Sequence, residues 1–265
     1  MHNNVDLDKF ENEGVVGLDN FLNVQDAQKL KKIVNNHCRS KIDKGNSFPI
    51  KKIDILKNIK NPKKFFDIFS IYSIYKKYKL KEFAQNITRS KVELMVIDGY
   101  VSKKSNENVL NWHVDQAYSG KYNVTNFVDP RNSIIKFFFY LSDVQSNNGC
   151  LGYIPGSHKI AFYLKELIKK GEINYKPYWA LKDLRNQVRD KEVYTKLKKY
   201  LSENILEGFL DKSNFIDNEK LDTKKYDFPM NRGGLLIFDE AGVHRGSCPS
   251  LSDRYVIRFF FKKIN

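Results

Sequence analysis

The sequence predicts a mainly β domain with flanking helices and a helical insertion, and three observations predict it. From about Lys91 onward, short runs rich in β-branched and aromatic residues recur between clusters of Asn, Asp, Gly, Pro and Ser. The first third instead spaces its apolar residues with a helical period. A Lys-rich stretch, roughly residues 160–232, interrupts the strand series and carries helical signals of its own. A chain of 265 residues with 41% hydrophobic and 14% aromatic content can bury a substantial core. Neither a repeat of fixed period nor a Pro/Gly/Ser-rich linker divides it, so residues 1–265 read as one domain.

Taken in order, residues 1–90 are expected to be mostly helical. Ala27, Leu30, Ile33, Val34 and Cys38 follow helical spacing behind Asp26 as the cap, and Pro62 opens a second helix carrying Phe65, Phe66, Phe69, Tyr72 and Tyr75. These faces are expected to pack on a sheet. Five β runs follow, at 91–101, 133–141, 150–154, 234–238 and 254–262, and suit an all-β barrel or sandwich. Between the third and fourth lies the insertion, with helices expected around 162–170 and 188–206. A connection that long is commonly a lid or a binding element.

The formal charge of +15, from 46 Lys and Arg against 31 Asp and Glu, raises nucleic acid or an anionic membrane as partners. The lysines are spread, however. They form small clusters, among them 51–52, 63–64, 76–77, 103–104 and 198–199, and nowhere a run of five or six, so composition explains the charge and no nucleic-acid partner is expected. A negatively charged small substrate is compatible with it. No segment approaches 18 uncharged apolar residues, and the opening Met1-His2-Asn3-Asn4-Val5-Asp6 lacks a basic region before an apolar run, so no membrane span is expected and the protein reads as cytoplasmic. Cys38, Cys150 and Cys248 are isolated, without C-x-x-C spacing, which argues against a disulfide framework and a thiolate zinc site. The sequence does not determine the oligomeric state.

The chemistry concentrates at Trp112-His113-Val114-Asp115. Strand side chains alternate faces, so His113 and Asp115 project together from a strand or its end. With a second histidine from a distant strand they make a two-histidine-one-carboxylate set, which leaves coordination positions open on Fe(II) for a chelating co-substrate and dioxygen. His244, beyond the run 234–238 and the turn at 240–242, is placed to complete it. The spacing alone is weak, since five histidines and 31 acidic residues in 265 give about 0.6 such matches by chance. Arg254 adds support: it begins the last β run, and its guanidinium offers a planar fork for the distal carboxylate of 2-oxoglutarate. Arg258, four residues on and on the same strand face, is the competing candidate.

These residues resemble the phytanoyl-CoA dioxygenase family of Fe(II)/2-oxoglutarate oxygenases along nearly the whole chain. His113-Val114-Asp115-Gln116 is similar to the family's first metal motif. Asn147-Asn148-Gly149-Cys150-Leu151 followed by Ile154-Pro155-Gly156-Ser157-His158-Lys159 is similar to its central signature, and Gly233-Gly234 through Phe238-Asp239 leads into His244 and a trailing arginine. Phe10-Glu11-Asn12-Glu13-Gly14 with Asp19-Asn20-Phe21-Leu22 is similar to the family's opening.

The resemblance implies a double-stranded β-helix, a jelly-roll or cupin-like core. It implies Fe(II) on His113, Asp115 and His244, with 2-oxoglutarate as co-substrate held by Arg254 and dioxygen as oxidant. It also places Ser247 and Phe138 near the co-substrate. The family sets its arginine about eleven residues past the distal histidine, whereas Arg254 is ten on and Arg258 fourteen, so the choice between them stays open. Related halogenating enzymes replace the carboxylate ligand by a small residue, so Asp115 favours hydroxylation. The implied reaction hydroxylates a small organic molecule and releases succinate and CO2. Phytanoyl-CoA itself does not follow from the family name.

Several residues carry a plainer reading. His158, whose family counterpart is not a ligand, is read as a structural hydrogen-bonding residue in a tight turn. Gly149, Gly152 and Gly156 are read as turns between strands, since no Gly-Lys-Ser/Thr follows and no helix start is signalled. Trp112 and Gln116 flank the ligands as pocket or core, and Tyr175, Tyr178 and Trp179 either cap a substrate or pack the insertion onto the barrel. Two other functions compete with the hydroxylase: a non-catalytic barrel that binds nucleic acid or an acidic partner, and the same iron site ending in desaturation, cyclisation or epimerisation.

Overall fold

The computed structural model describes residues 7–38, 48–50, 62–115, 134–146, 148–218 and 221–264. Gln116 and Asn147, both part of the motifs above, lie outside the described residues. Two antiparallel sheets form the core. The larger has the strand order β1-β8-β5-β10-β3-β2, from β1 (Val15–Leu18), β2 (Phe48–Ile50), β3 (Lys91–Ser102), β5 (Ile134–Tyr140), β8 (Leu235–Asp239) and β10 (Arg254–Ile264). The smaller has the order β4-β9-β6-β7, from β4 (Leu110–His113), β6 (Leu151–Tyr153), β7 (Asp227–Phe228) and β9 (His244–Gly246). Non-consecutive neighbours and a face-to-face pair of sheets are the jelly-roll arrangement expected.

The five long β runs lie where their patterning puts them, within one or two residues at most ends. Residues of one parity in β5 (Phe138, Tyr140), β8 (Leu236, Phe238) and β10 (Val256) meet Val15, Leu151 and Tyr153 between the sheets. The other parity, Ile135, Phe137, Phe139, Leu235, Ile237, Ile257, Phe259 and Phe261, faces the N-terminal helices. A sheet covered on both sides reads as a continuous apolar run, and Phe137-Phe138-Phe139-Tyr140 is buried throughout. The Tyr140 hydroxyl ties the sheets together by accepting from the backbone N–H of Leu151 at 2.8 Å.

The N-terminal third is α1 (Leu7–Glu13), α2 (Val24–Cys38), α3 (Pro62–Lys77) and α4 (Leu80–Thr88), laid over the large sheet. Two expectations are corrected here. Asp26 does not cap α2: Asn23 Oδ1 accepts from the Asp26 N–H at 2.8 Å, and the Asp26 carboxylate receives Lys77 at 2.6 Å and Tyr78 at 2.8 Å. On α3 the stripe turned to the core is Ile68, Ile71 and Ile74, flanked by Tyr72 and Tyr75, whereas Phe66 and Phe69 are each 65% exposed. The isoleucines at i, i+3 and i+6 form the stripe that meets the core, and the larger aromatic side chains at its margins stay partly or largely in solvent.

The insertion folds as α5 (Ser157–Lys169), α6 (Leu181–Arg189), α7 (Lys191–Leu197) and α8 (Glu203–Lys212). The helical stretch expected around 188–206 falls on three short helices, the first break lying where the Asp190 side chain caps α7 by accepting from the N–H groups of Glu192 (3.0 Å) and Val193 (3.3 Å). A helix does start after the glycines: Gly156, at φ 84°, stands immediately before α5, and His158 lies in its first turn, Nε2 3.2 Å from the carbonyl of Glu11. The insertion has its own core of Ile160, Leu164, Tyr178, Leu184, Val188, Leu197 and Leu206, into which Val114 and Val243 also project. These two valines adjoin His113 and His244, so the insertion grips both segments that carry the histidines.

Lys165 on α5 lines a cavity of about 870 Å³ with His158, Tyr163 and Asp239, yet is only 2% exposed. Burial pushes its ammonium down to about 8 despite Asp239 and Glu240 nearby. With the folded value below the unfolded one, the unfolded chain holds the proton more readily. The penalty on folding is full below pH 8 and fades as pH rises through 10.5. Lys165→Met is therefore expected to stabilise the protein by about 1–3 kcal/mol at pH 7. The gain should vanish near pH 10.5; urea titrations of both proteins at the two pH values measure it, and an equal difference at both would refute the electrostatic cause.

Candidate metal centre

Neighbouring strands of the smaller sheet bring His113, Asp115 and His244 together: one ligand atom from each lies within 4.8 Å of the others. His113 ends β4 and His244 begins β9, and these residues are directly opposite in the antiparallel pair. Their rings stand 4.3 Å apart between centroids. Asp115 follows β4 by two residues, its N–H donating to the carbonyl of Glu240 at 3.3 Å.

Both histidines are oriented alike. His113 Nδ1 faces the carbonyl of Asn111 at 2.6 Å and His244 Nδ1 that of Gly242 at 2.9 Å. A carbonyl only accepts, so each Nδ1 carries a proton, and in the neutral imidazole the lone pair is then on Nε2. Each Nε2 is 3.2 Å from an oxygen of Asp115. Burial pulls the His244 imidazole below its ordinary value in spite of Asp115, which favours the neutral, ligating form. Burial alone would raise the Asp115 carboxyl, but the charge of the Lys136 ammonium outweighs it and holds the group well below the usual carboxylate range.

Three acceptors aimed at one another are repulsive unless a cation lies among them. Cis ligands at about 2.1–2.2 Å from a metal stand roughly 3 Å apart, the scale of the 3.2 Å between His113 Nε2 and Asp115 Oδ1, while His244 Nε2 lies 3.2 Å from Oδ2 of the same carboxylate. The residues present thus fit a mononuclear divalent metal.

The turn at 239–243 that carries His244 is built by the central signature. Ile154 N–H donates to Val243 O at 2.9 Å, and the Ser157 hydroxyl accepts from Val243 N–H at 2.7 Å while donating to Ile154 O at 2.6 Å. Tyr153 stacks parallel to the His244 ring, 6.5 Å away, and donates to Asp239 O at 3.1 Å. Gly242 packs so closely that a Cβ there would sit 1.8 Å from the Tyr153 hydroxyl oxygen. Gly242→Ala is accordingly expected to displace Tyr153 or the turn and to cut metal affinity by about 10–100-fold with all three ligands intact. Calorimetric Fe(II) titration checks this, and wild-type affinity would show that the turn does not need the contact.

Both candidate arginines lie inward on β10, with different partners. Arg258 forms a two-pronged ion pair with Asp98, Nε to Oδ1 at 2.7 Å and Nη2 to Oδ2 at 2.5 Å. Arg254, 2% exposed, is held by neutral groups: Gly149 O at 2.8 Å, Tyr100 Oη at 3.1 Å and Ser102 Oγ at 3.1 Å. Its guanidinium lies 5.9 Å from the Phe138 ring centroid. Ser247 is fully buried, and its hydroxyl donates to Cys150 O at 2.8 Å.

Three neighbours of the site, Tyr153, Lys136 and Glu240, are not marked by the sequence motifs, whereas Trp179 is among the residues expected to cap a substrate or to pack the insertion onto the barrel. Trp179 carries the insertion onto the site, its carbonyl accepting from Val114 N–H at 2.8 Å and its ring 5.3 Å from that of His113. Tyr178 instead is buried in the insertion core, where Tyr175 also packs. Trp112 turns away from the metal ligands to Phe215 and Tyr226, with Arg245 over its ring at 5.0 Å. His158 is not among the three converging ligands.

Jelly-roll sheets with two histidines and a carboxylate at one end define the mononuclear non-haem oxygenase class. The profile of the family Phytanoyl-CoA dioxygenase (PhyH) matches residues 10–255, and the chain belongs to that family of 2-oxoglutarate-dependent oxygenases. No curated protein matches the chain. Among solved structures it is similar to HygX from Streptomyces hygroscopicus with nickel and 2-oxoglutarate bound, at 14% identity and TM-score 0.56 over 99% of this chain and 87% of that one. It is also similar to SnoK, a non-haem α-ketoglutarate-dependent carbocyclase from nogalamycin biosynthesis, at 11% identity and TM-score 0.57 over 98% and 85%. The epimerase SnoN from the same biosynthesis matches at 10% identity and TM-score 0.54 over 97% and 81%. At these identities the likeness establishes the fold. No helix among the described residues is long and apolar enough to cross a membrane.

Proposed function

We propose that this protein is an Fe(II)- and 2-oxoglutarate-dependent dioxygenase that hydroxylates a small organic molecule. The observation that carries the reading is the convergence of His113 Nε2, His244 Nε2 and the Asp115 carboxylate as acceptors within 4.8 Å. Those atoms would hold Fe(II). Arg254 would take the distal carboxylate of 2-oxoglutarate, beside Phe138 and Ser247. When bound, the iron with its co-substrate and dioxygen supplies the oxidation of a C–H bond, releasing succinate and CO2.

The chain's own part is orientation and exclusion. Asn111 O and Gly242 O fix the imidazoles, and the insertion's Trp179 and Val114 contacts close the site on the His113 side. Asp115 favours hydroxylation over halogenation, because its carboxylate takes the position a halide would need. The carbocyclase and epimerase among the structural neighbours make cyclisation and epimerisation the alternative outcomes of the same site. A non-catalytic barrel has no use for three converging ligands and is not favoured.

Anaerobic addition of Fe(II) and 2-oxoglutarate should produce the weak visible charge-transfer band of such a chelate. Its absence in folded protein would sink the proposal. Succinate formation against a library of small metabolites, with product analysis, then separates hydroxylation from the alternatives.

A further inference from the structure

Asp115 has a third neighbour besides the two histidines. On β5 the inward parity is Lys136, Phe138 and Tyr140, two aromatic residues between the sheets and one lysine that is 5% exposed. Its ammonium bonds Asp115 Oδ2 and lies 3.2 Å from Glu240 Oε2. It also stands over the rings of Phe260 (5.1 Å) and Phe238 (5.8 Å). A buried ammonium is unfavourable unless it is paired, and an apolar side chain of similar volume would fill the same space without that cost. Two carboxylates offset the burial here, and one of them belongs to the metal centre.

We infer that Lys136 is a positioning residue of the metal centre, holding one oxygen of Asp115 so that the carboxylate offers the metal only the other. A carboxylate can ligate through one oxygen or both, and a second oxygen on the metal would take a position that the co-substrate chelate or dioxygen requires. Glu240 balances the lysine's charge, so the ammonium acts on Asp115 as a donor without leaving a net cation beside the metal. Partners of this kind, one bond removed from the metal, orient ligands and sharpen affinity. The inference rests on the iron-centre reading above.

The test uses Co(II) alone as probe, titrated into the apo forms of the wild-type chain and of Lys136→Met, with its visible absorption as readout. Wild-type protein should bind one equivalent with the weak bands of a six-coordinate ion. Lys136→Met should bind about 10–100-fold more weakly and with altered band intensity, and Lys136→Arg, which keeps a donor, should recover part of both. Failure of the wild-type chain to bind Co(II) would count against the iron-centre reading itself. Wild-type binding with an unchanged affinity and spectrum in folded Lys136→Met would overturn the role of Lys136. If Lys136→Met does not fold, the Co(II)-loaded wild-type crystal structure decides: one Asp115 oxygen on the metal and the other on Lys136 supports the role, and both on the metal refutes it.

Discussion

His113→Ala is expected to lose Fe(II) affinity by more than about 100-fold, since even partners one bond removed from a metal ligand are worth about 10–100-fold. The visible band with 2-oxoglutarate should disappear with it. Asp115→Ala should lose the metal equally but differ in what happens to the apoprotein. His113 gives up a bond to the Asn111 carbonyl, its 3.2 Å contact with Asp115 and its packing, while Asp115 is the main partner of the buried Lys136. Removing one member of a buried ion pair costs about 3–5 kcal/mol, partly recovered here through Glu240 at 3.2 Å. Asp115→Ala should therefore melt well below His113→Ala, and Asp115→Asn, which keeps the volume, should fall between them. Calorimetric Fe(II) titration and urea unfolding of the three apoproteins measure both effects. A folded His113→Ala protein that binds Fe(II) as the wild type does would remove the basis of the metal assignment.

Much of this architecture was legible because strands long enough to cross the sheet carry their own pattern. Lys91–Ser102, Ile134–Tyr140 and Arg254–Ile264 are 12, 7 and 11 residues long and rich in β-branched and aromatic residues. The short strands β4, β7 and β9 have two to four residues, too few for any period, and exist because a partner pairs with them. The strand β1 was lost for the same reason inside a third of the chain that reads as helical.

The candidate ligands His113, Asp115 and His244 are legible because their residue types carry the chemistry whatever the local backbone does. Tyr153 is not, and Trp179 stays between two roles, because an aromatic residue beside a motif looks the same whether it packs a core or leans on an imidazole ring. Lys136 had a signal that parity could have exposed: in a strand whose alternate residues are Phe138 and Tyr140, a lysine of the same parity must point inward. Which acids it meets there is tertiary information, supplied by loops more than twenty residues before and a hundred after it.

Arg254→Lys is expected to raise the dissociation constant for 2-oxoglutarate by at least about 30-fold, whereas Arg258→Lys should leave it within a few-fold of wild type and destabilise the fold instead. The argument is one of unmet charge. Burial would lower the Arg258 guanidinium, but the Asp98 carboxylate outweighs it and raises the group above its ordinary value; the ion pair already satisfies the fork. Shortening that fork leaves Asp98 imperfectly paired. Arg254 has carbonyl and hydroxyl oxygens around it, and its Nε has no hydrogen-bond partner among the described residues. A buried cation solvated by neutral oxygens retains most of its attraction for a carboxylate, and truncating one partner of such a pair costs about 2–5 kcal/mol, which sets the 30-fold floor. Lysine keeps the charge but not the planar two-pronged geometry, so the loss measures the fork itself. Equilibrium titration of 2-oxoglutarate into the Fe(II)-loaded variants reads the first effect and urea unfolding the second. If Arg258→Lys lost the co-substrate while Arg254→Lys kept it, the anchor would be Arg258, and Asp98 would have to release it on binding.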